Sequence, residues 1–359
     1  MIDDKNFRII KITTALILVG FVFFILKELQ SILIPFFMAI VISFLFEPVY
    51  EWFKRKRFPT WAAILTVVLI IFIISNIASV FLLTSINSFS SGFPRYVLKV
   101  EALWDSAANN LSSLGISNEE IKKSFNISQY LSGEKLAGTI SDIITSIAGI
   151  FTNYILILIY VIFLLTEFGS IQRRILTAFS REKSRKISDI LSDIFDDLRR
   201  YIVGKTLINL SHAVLITIIF LFFGLDFAIV WGLLTFFMTY IPNLGAFIAT
   251  ILPFVTALAQ YDNVVTPIVL LIIMTVVAYS VGNLVEPKIL GDKLNLSPLL
   301  LIFSLVFWGY IWGVVGMLLS VPIMSMIKII LSKFESTKPV AILMSYNVGK
   351  PKEDELEVI

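Results

Sequence analysis

Long apolar stretches, separated by short polar connections, constrain this chain more than any other feature of its sequence. Residues 7–26, 61–83, 143–165 and 206–223 are each close to the length that a helix needs to cross the hydrocarbon core of a bilayer, about 20 residues. Hydrophobic residues make up 57% of the chain, whereas soluble domains average about 45–50%. We therefore predict an all-α polytopic membrane protein whose first partner is the lipid bilayer.

The charged and metal-binding residues exclude several classes of function. Only 15% of the residues are charged and the net charge is +3, which does not suit a nucleic-acid partner. The chain has no Cys and a single His, so disulfides, thiolate chemistry and a multi-histidine metal site are ruled out. It contains no phosphate-binding glycine loop and no nucleophile elbow. We predict no cofactor, no bound metal and no enzymatic activity.

Basic residues set the predicted orientation in the membrane. Four consecutive basic residues, Lys54 to Arg57, follow the second apolar run, and residues 168–205 are also rich in Lys and Arg. By the positive-inside rule both segments are cytoplasmic, and so are the two termini. No small-residue cleavage site follows the first apolar run, so we interpret that run as a retained helix.

These features divide the chain into six parts. The second part is rich in Ser, Asn and Gly, and the fourth has apolar residues at helical spacing over 187–202. That spacing predicts an amphipathic helix, which packs under the bundle, lies at the lipid interface or contacts a neighbouring subunit. The parts are three membrane spans (1–84), a small helical extracytoplasmic insert (85–141), a fourth span (142–167), a cytoplasmic amphipathic helical linker (168–205), the predicted transport core (206–334) and a cytoplasmic tail expected to be disordered (335–359).

Two pairs of apolar segments in the predicted core are too short to cross a bilayer. Residues 226–240 and 246–260 would each form a helix of about 22 Å, against a hydrocarbon core of about 30 Å. Residues 298–308 and 314–331 form a similar pair around a glycine-containing turn. We predict two re-entrant hairpins, each after a spanning helix, in an inverted repeat of the kind that places a transporter's binding site. The total is then about eight hydrophobic segments.

A polar run at 282–298 separates the second hairpin from the span before it. Glu286-Pro287 is predicted to end that span, because proline lacks a backbone donor and disfavours helix in the preceding residue. A carboxylate at the end of a membrane helix is costly unless it meets water, a cation or a donor. Glu286 is therefore either a proton or cation site, a latch on the hairpin dipoles, or a headgroup-level residue paired with Lys288 or Lys293. Asn283, within one helical turn, could share its cavity.

The tip of the first hairpin contains the next candidates, Pro242, Asn243 and Gly245. Irregular backbone at membrane depth is tolerated only where protein or a water-filled cavity satisfies it. Free carbonyls and the Asn243 amide suit a cation or a polar solute, and the alternative is a tightly packed turn.

Three further polar residues complete the candidate substrate- or ion-binding set. Glu47, followed by Pro48 at the predicted end of the second span, is either a site residue or an interfacial residue beside the basic cluster. Asp226 is either a site residue or an N-cap. His212, in the fifth span, is either a proton relay or a partner in an interhelical hydrogen bond.

Several short motifs resemble the autoinducer-2 exporter (AI-2E) family of bacterial and archaeal transporters. The order of elements, three spans, an insert and five further hydrophobic segments, resembles that family as well. The resemblance covers nearly the whole chain, apart from the insert and the tail after residue 338. The motifs are Pro35-Phe-Phe-Met-Ala-Ile, Glu47-Pro48, Tyr240-Ile-Pro-Asn-Leu-Gly245, Val285-Glu-Pro-Lys288 with Gly291, Leu296-Ser-Pro-Leu299, and Trp308-Gly, Trp312-Gly, Gly316 and Pro322.

The resemblance implies a multi-pass permease of the prokaryotic plasma membrane that forms a homo-oligomer, for example a pentamer. Members of that family are assigned to export of the quorum-sensing signal autoinducer-2 or to sodium (or lithium)/proton antiport. We therefore predict an exporter of a small polar solute, such as autoinducer-2, coupled to an ion gradient. The alternatives are a monovalent cation/proton antiporter, and a pore or scaffold oligomer without coupled transport.

Overall fold

The computed structural model describes residues 4–80, 154–241, 244–290 and 296–346, together with six isolated positions between residues 92 and 145. The regular structure of this described part is helical, apart from one antiparallel bridge between Leu296 and Ser345. The helices are α1 (Asp4–Glu28), α2 (Gln30–Arg55), α3 (Thr60–Val80), α4 (Tyr154–Ala178), α5 (Arg181–Phe223), α6 (Ala228–Met238), α7 (Leu244–Gln260), α8 (Val265–Leu290), α9 (Pro298–Ser332) and α10 (Lys338–Leu343).

Membrane-length helices dominate this architecture. Among the described residues, five helices are long and apolar enough to cross a bilayer: α2, α3, α5, α8 and α9. Large apolar side chains cover their outer faces, for example Phe222 at 85% exposure and Trp61 at 70%. Such a surface suits lipid and not water. The predicted all-α membrane class is confirmed, whereas the predicted total of about eight segments is not.

Helix α5 is the longest element and connects the packed layers. Its 43 residues extend over about 65 Å at a rise of 1.5 Å per residue. One end packs with α2 and α9 around Ile194, Leu198 and Ile202. The other end packs with α6, α7 and α8 around Phe220 and Trp231, both with no exposed surface. A third core joins α2, α3 and α4.

Two parts of the predicted core fold back on themselves. Helices α6 and α7 lie so close that a Cβ atom on Gly245 would stand 1.7 Å from the Met238 carbonyl oxygen. Helix α9 reverses at Gly313, whose φ of 62° and ψ of −144° are open only to glycine. Its two arms meet where the Ser304 hydroxyl donates to the Ser320 carbonyl oxygen at 3.3 Å. The first arm, 298–312, is by itself shorter than a membrane span.

The prolines that were predicted to end helices lie inside them. Helix α2 passes through Pro48 and continues to Arg55. Helix α8 passes through Pro287 by way of a π-helical turn, Val281–Val285, in which the Glu286 N–H donates to the Val281 carbonyl. A π-turn widens the helix and shifts its hydrogen bonding by one residue, which lets a proline follow without breaking the helix.

Three predicted boundaries are also corrected. The predicted linker at 168–205 is divided between the end of α4 and the first part of α5, and α5 runs without a break from Arg181 through the fifth span. The tail is ordered as far as residue 346, because α10 packs on α9 and buries Ala341 and Met344. The fourth span's helix continues to Ala178. The predicted insert, 85–141, lies outside the described residues except at isolated positions, and so does the tail from 347 onward.

Candidate functional site

A cavity of about 770 Å³ lies between α5, α7, α8 and the facing sides of both folded-back pairs. This volume falls within the roughly 300–1,000 Å³ of small-molecule sites. Along α8 the cavity extends over about three helical turns, with Thr275 near one end and the charged Glu286 near the other. The polar side chains that line it are Lys205, His212, Thr239, Tyr240, Thr250, Thr275, Tyr279, Asn283, Glu286 and Tyr346.

An ion pair between Lys205 of α5 and Glu286 of α8 is the strongest polar contact in the cavity wall. The Lys205 ammonium donates to the Glu286 Oε1 at 2.6 Å. The Lys205 side chain is 9% exposed and that of Glu286 is 26% exposed. The helices approach closely beside the pair, since a Cβ atom on Gly204 would lie 2.7 Å from the Leu290 Cδ2. In such a setting each charge depends on the other for its solvation.

This ion pair corrects two expectations about Glu286. Its partner is Lys205, 81 positions earlier, and not the adjacent Lys288 that local sequence suggested. The other suggested partner, Lys293, lies outside the described residues. Glu286 also does not end its helix, because α8 continues to Leu290.

A polar stripe on α5 continues from the ion pair along the helix. Lys205, Asn209 and His212 are spaced i, i+4 and i+7, which places them on one face. Asn209 is fully buried, and neither its amide oxygen nor its amide nitrogen has a hydrogen-bond partner in the described part of the chain. His212 is 5% exposed, lines the cavity, and has an unpartnered Nδ1. Buried polar atoms without hydrogen-bond partners are costly to the folded state.

Threonine hydroxyls supply hydrogen-bond acceptors to the cavity. Thr250 and Thr275 each donate to the carbonyl four residues earlier in their own helix, at 2.8 and 2.7 Å. Thr239 does the same toward Thr235 at 2.5 Å. Because the hydroxyl hydrogen is used within the helix, the oxygen lone pairs remain free to accept from a solute. This part of the wall suits a solute that donates hydrogen bonds.

The structure gathers three of the predicted site residues into this cavity. Glu286, Asn283 and His212 all line it. The Asn283 amide donates to the Tyr279 carbonyl oxygen at 3.2 Å and is exposed. Gly245 is buried at the crossing of α6 and α7 and does not line the cavity. Pro242 and Asn243 lie outside the described residues.

Asp226 and Glu47 lie apart from the cavity. The Asp226 carboxylate accepts a hydrogen bond from the Tyr96 hydroxyl, and its backbone N–H donates to Gln260 at 2.8 Å. It is not the N-cap of α6, because Phe227 holds that position with a φ of 60°.

Glu47 is half-buried and lies 3.6 Å from Arg199 of α5. Its second oxygen, Oε2, is buried without a partner. The basic cluster does not supply its partner, because Lys54 of that cluster pairs with Glu51 at 3.8 Å.

Sequence reasoning missed Lys205 and Asn209 as site residues. The predicted linker ended at Lys205 and thus separated it from the span that follows. The available signal was the spacing of three polar residues on one face of an otherwise apolar helix. Among the described residues, no group of three or more metal-binding side chains occurs.

Membrane-length apolar helices around a partly buried polar cavity define a multi-pass membrane protein of the transporter class. A family model described as AI-2E family transporter matches residues 12–336, and the chain belongs to that family. The matched range ends before α10.

Several curated proteins are similar to this chain in sequence over most of their lengths. The AI-2 transport protein TqsA of Escherichia coli K12 is 26% identical over 317 residues, which cover 88% of this chain and 90% of TqsA. The E. coli K12 protein YhhT is 27% identical over 323 residues, 90% of each chain. The Bacillus subtilis 168 protein YueF is 26% identical over 312 residues, 84% of this chain and 83% of YueF.

Proposed function

We propose that this protein moves a small polar solute across the membrane through the cavity that contains the Lys205–Glu286 ion pair. The pair carries the proposal, because ionisable residues at membrane depth are costly and are retained mostly along solute or ion pathways. The cavity also lies between the two folded-back pairs, where transporters with broken helices bind their solutes.

The proposed solute is uncharged or zwitterionic, and autoinducer-2 is the example that the name of TqsA suggests. Lys205 already neutralises Glu286, so the site adds no net charge to attract a lone cation. The cation/proton antiporter alternative requires a carboxylate that exchanges a proton for a cation, and here that carboxylate is held by an ammonium. We therefore carry forward solute transport, coupled to an ion gradient.

The proposed arrangement in the membrane follows the charge pattern. We propose that both folded-back pairs are re-entrant, α6–α7 from the outside and the two arms of α9 from the cytoplasm, as an inverted repeat. Both tips use a glycine at a close backbone contact, Gly245 against Met238 and Gly316 against Trp308, which supports this relationship. The termini would be cytoplasmic, the location the prokaryotic plasma membrane, and the assembly a homo-oligomer such as a pentamer.

Reconstitution in liposomes tests the proposal. Purified protein is assayed for flux of labelled autoinducer-2 and other small polar solutes, with and without an imposed pH or Na⁺ gradient. Wild type should give saturable flux that falls when an ionophore collapses the gradient. Lys205→Met and Glu286→Gln should abolish this flux. The matched control is Glu51→Gln, which breaks the exposed contact with Lys54 and should transport normally. Conductance without saturable flux would overturn the proposal in favour of a pore.

A further inference from the structure

The C-terminal segment that follows α9 returns to the cavity and forms part of its wall. After a turn at 333–337, α10 packs on α9, and the chain then pairs with the residues that precede α9. Leu296 and Ser345 form an antiparallel bridge, and the Ser297 N–H donates to the Met344 carbonyl oxygen at 2.9 Å. Leu296 and Tyr346 both line the cavity. We refer to residues 338–346 as the strap.

The strap lies at the end of the cavity that holds the ion pair. Along α8 the cavity extends from Thr275 to Glu286, and the chain reaches Leu296 shortly after Leu290, where α8 ends. The strap, which pairs with Leu296, is therefore next to the Glu286 end of α8. Its anchoring is light: Ala341 and Met344 are buried, whereas Leu343 is 83% exposed and Tyr346 is 72% exposed.

Two observations make the strap a separable element. The match to the family model ends at residue 336, two residues before α10 begins, so the strap lies beyond the matched range. Its pairing with Leu296 is a single bridge with one flanking backbone hydrogen bond in the described part of the chain, which is a weak contact for a closing element. A segment held this lightly can detach without unfolding the helices behind it.

We propose that the strap is a gate: it seals the ion-pair end of the cavity in the structure described here, and it must leave Leu296 before a solute can pass that end. This inference rests on the cavity being the solute path of the proposed function. The gate belongs to the same chain as the cavity, so its opening is a local equilibrium that any factor binding the C-terminal segment would shift.

A reversible cross-link tests the gate in the full-length protein. The chain has no Cys, so a Leu296→Cys/Ser345→Cys pair is the only pair of thiols present. Opposed residues of an antiparallel bridge have Cα atoms about 4.5–5.5 Å apart, within the roughly 4.4–6.8 Å that a disulfide spans. Oxidation should form the bond and stop solute flux, and a reductant should restore the flux in the same sample. Undiminished flux in the oxidised protein, or failure of the bond to form, would overturn the gate.

A labelling experiment tests the gate without any transport assay. Ala278 lines the cavity, and Ala278→Cys gives a single thiol whose reaction with a small polar maleimide is followed in detergent. Adding Met344→Asp places a charge at a buried strap position, so the strap should detach and the labelling rate should rise by about ten-fold. Leu343→Asp, at the exposed neighbour, should leave the rate unchanged.

The two experiments separate failure of the gate from failure of the proposed function. If the reduced cross-linking variant and wild type both lack flux while Met344→Asp still speeds labelling, the gate stands and the assigned solute is wrong. Equal labelling rates in Met344→Asp and Leu343→Asp would overturn the gate whatever the flux.

Discussion

Two of the cation–carboxylate contacts that join α5 to other helices differ in surroundings more than in distance. Lys205 meets one carboxylate, Glu286, at 2.6 Å, and only 9% of the lysine side chain is exposed. Lys333 meets two carboxylates on α5, Asp193 at 3.1 Å and Asp197 at 3.3 Å; the Lys333 side chain is 23% exposed, Asp193 is 67% exposed and Asp197 is 17% exposed.

Burial of the cation, and not contact length, decides what these ion pairs do. Water reaches Lys333 more than Lys205 and solvates the Asp193 carboxylate, so we expect the Lys333 contacts to add little to stability while they anchor one end of α5 to the end of α9. The Lys205 ammonium has little water, so the loss of Glu286 leaves it uncompensated. The contact in the cavity is therefore the sensitive one, and it is also placed where a solute would pass.

Removing the cavity carboxylate should give the largest effect. Glu286→Gln leaves the Lys205 ammonium without its counter-charge. We expect the free energy of unfolding to fall by about 2–3 kcal/mol. This is less than the roughly 3–5 kcal/mol lost when a fully buried pair is broken, because Glu286 keeps some exposure. Thermal unfolding in detergent measures the loss.

A double-mutant cycle sharpens this prediction. Lys205→Met/Glu286→Gln removes both charges, so it should recover most of the stability that Glu286→Gln loses, while flux stays absent. If the single and double variants melt at the same temperature, the two charges are not coupled, and the contrast between the cavity and the surface contact disappears.

Replacing the polar residue Asn209 beside the ion pair by an apolar one should have an effect of intermediate size on stability, and it should stabilise the protein. Asn209→Leu replaces a fully buried amide, whose two polar atoms have no partner among the described residues, by an apolar group of similar size. We expect a gain of about 1 kcal/mol, because an unpartnered buried amide costs about 1–3 kcal/mol. Ser211→Leu, on the exposed side of α5, is the control and should change the melting temperature little. A lower melting temperature for Asn209→Leu would mean that water or a ligand already satisfies the amide.

Removing the Lys333 cation should have the smallest effect. Lys333→Met is expected to lower the free energy of unfolding by about 0–1 kcal/mol, and by less in high salt, because salt screens the charges. Burial lowers the pKa of Lys333, but the hydrogen bonds and charges of Asp193 and Asp197 outweigh it and raise the pKa above its ordinary value of 10.5. A raised lysine pKa stabilises the folded state below the ordinary value and loses that contribution as the pH rises through the folded-state pKa.

The pH dependence of the same variant checks the sign. The difference in melting temperature between wild type and Lys333→Met should stay constant from about pH 6 to about pH 9 and shrink only above the ordinary lysine pKa. A difference as large as that of Glu286→Gln, or one that changes near neutral pH, would show that Lys333 is less accessible to water than the exposure of Asp193 indicates.

The local features of the fold were predictable from sequence, and the contacts between distant elements were not. The reversal of α9 at Gly313 followed from two arms too short to span and a glycine-containing turn between them. The continuation of α8 through Pro287 was missed, because a proline's local preference ends helices while neighbouring helices in a packed bundle stabilise the irregular π-turn. Glu286 was identified as a candidate from the cost of its charge, yet Lys205, with which it forms the ion pair, was not among the partners suggested for it.

What the sequence determined by itself is the class of protein: apolar segment lengths and charge placement are properties of the chain, and a bilayer permits few structures that satisfy them. What only the tertiary structure decided is the site. Lys205 and Glu286 are 81 positions apart, and the strap meets Leu296 from the far end of α9. Such pairings depend on how the helices pack, because one local sequence pattern is compatible with many different contacts between distant side chains. The cavity between α5 and α8 therefore became visible only once the helices were placed beside each other.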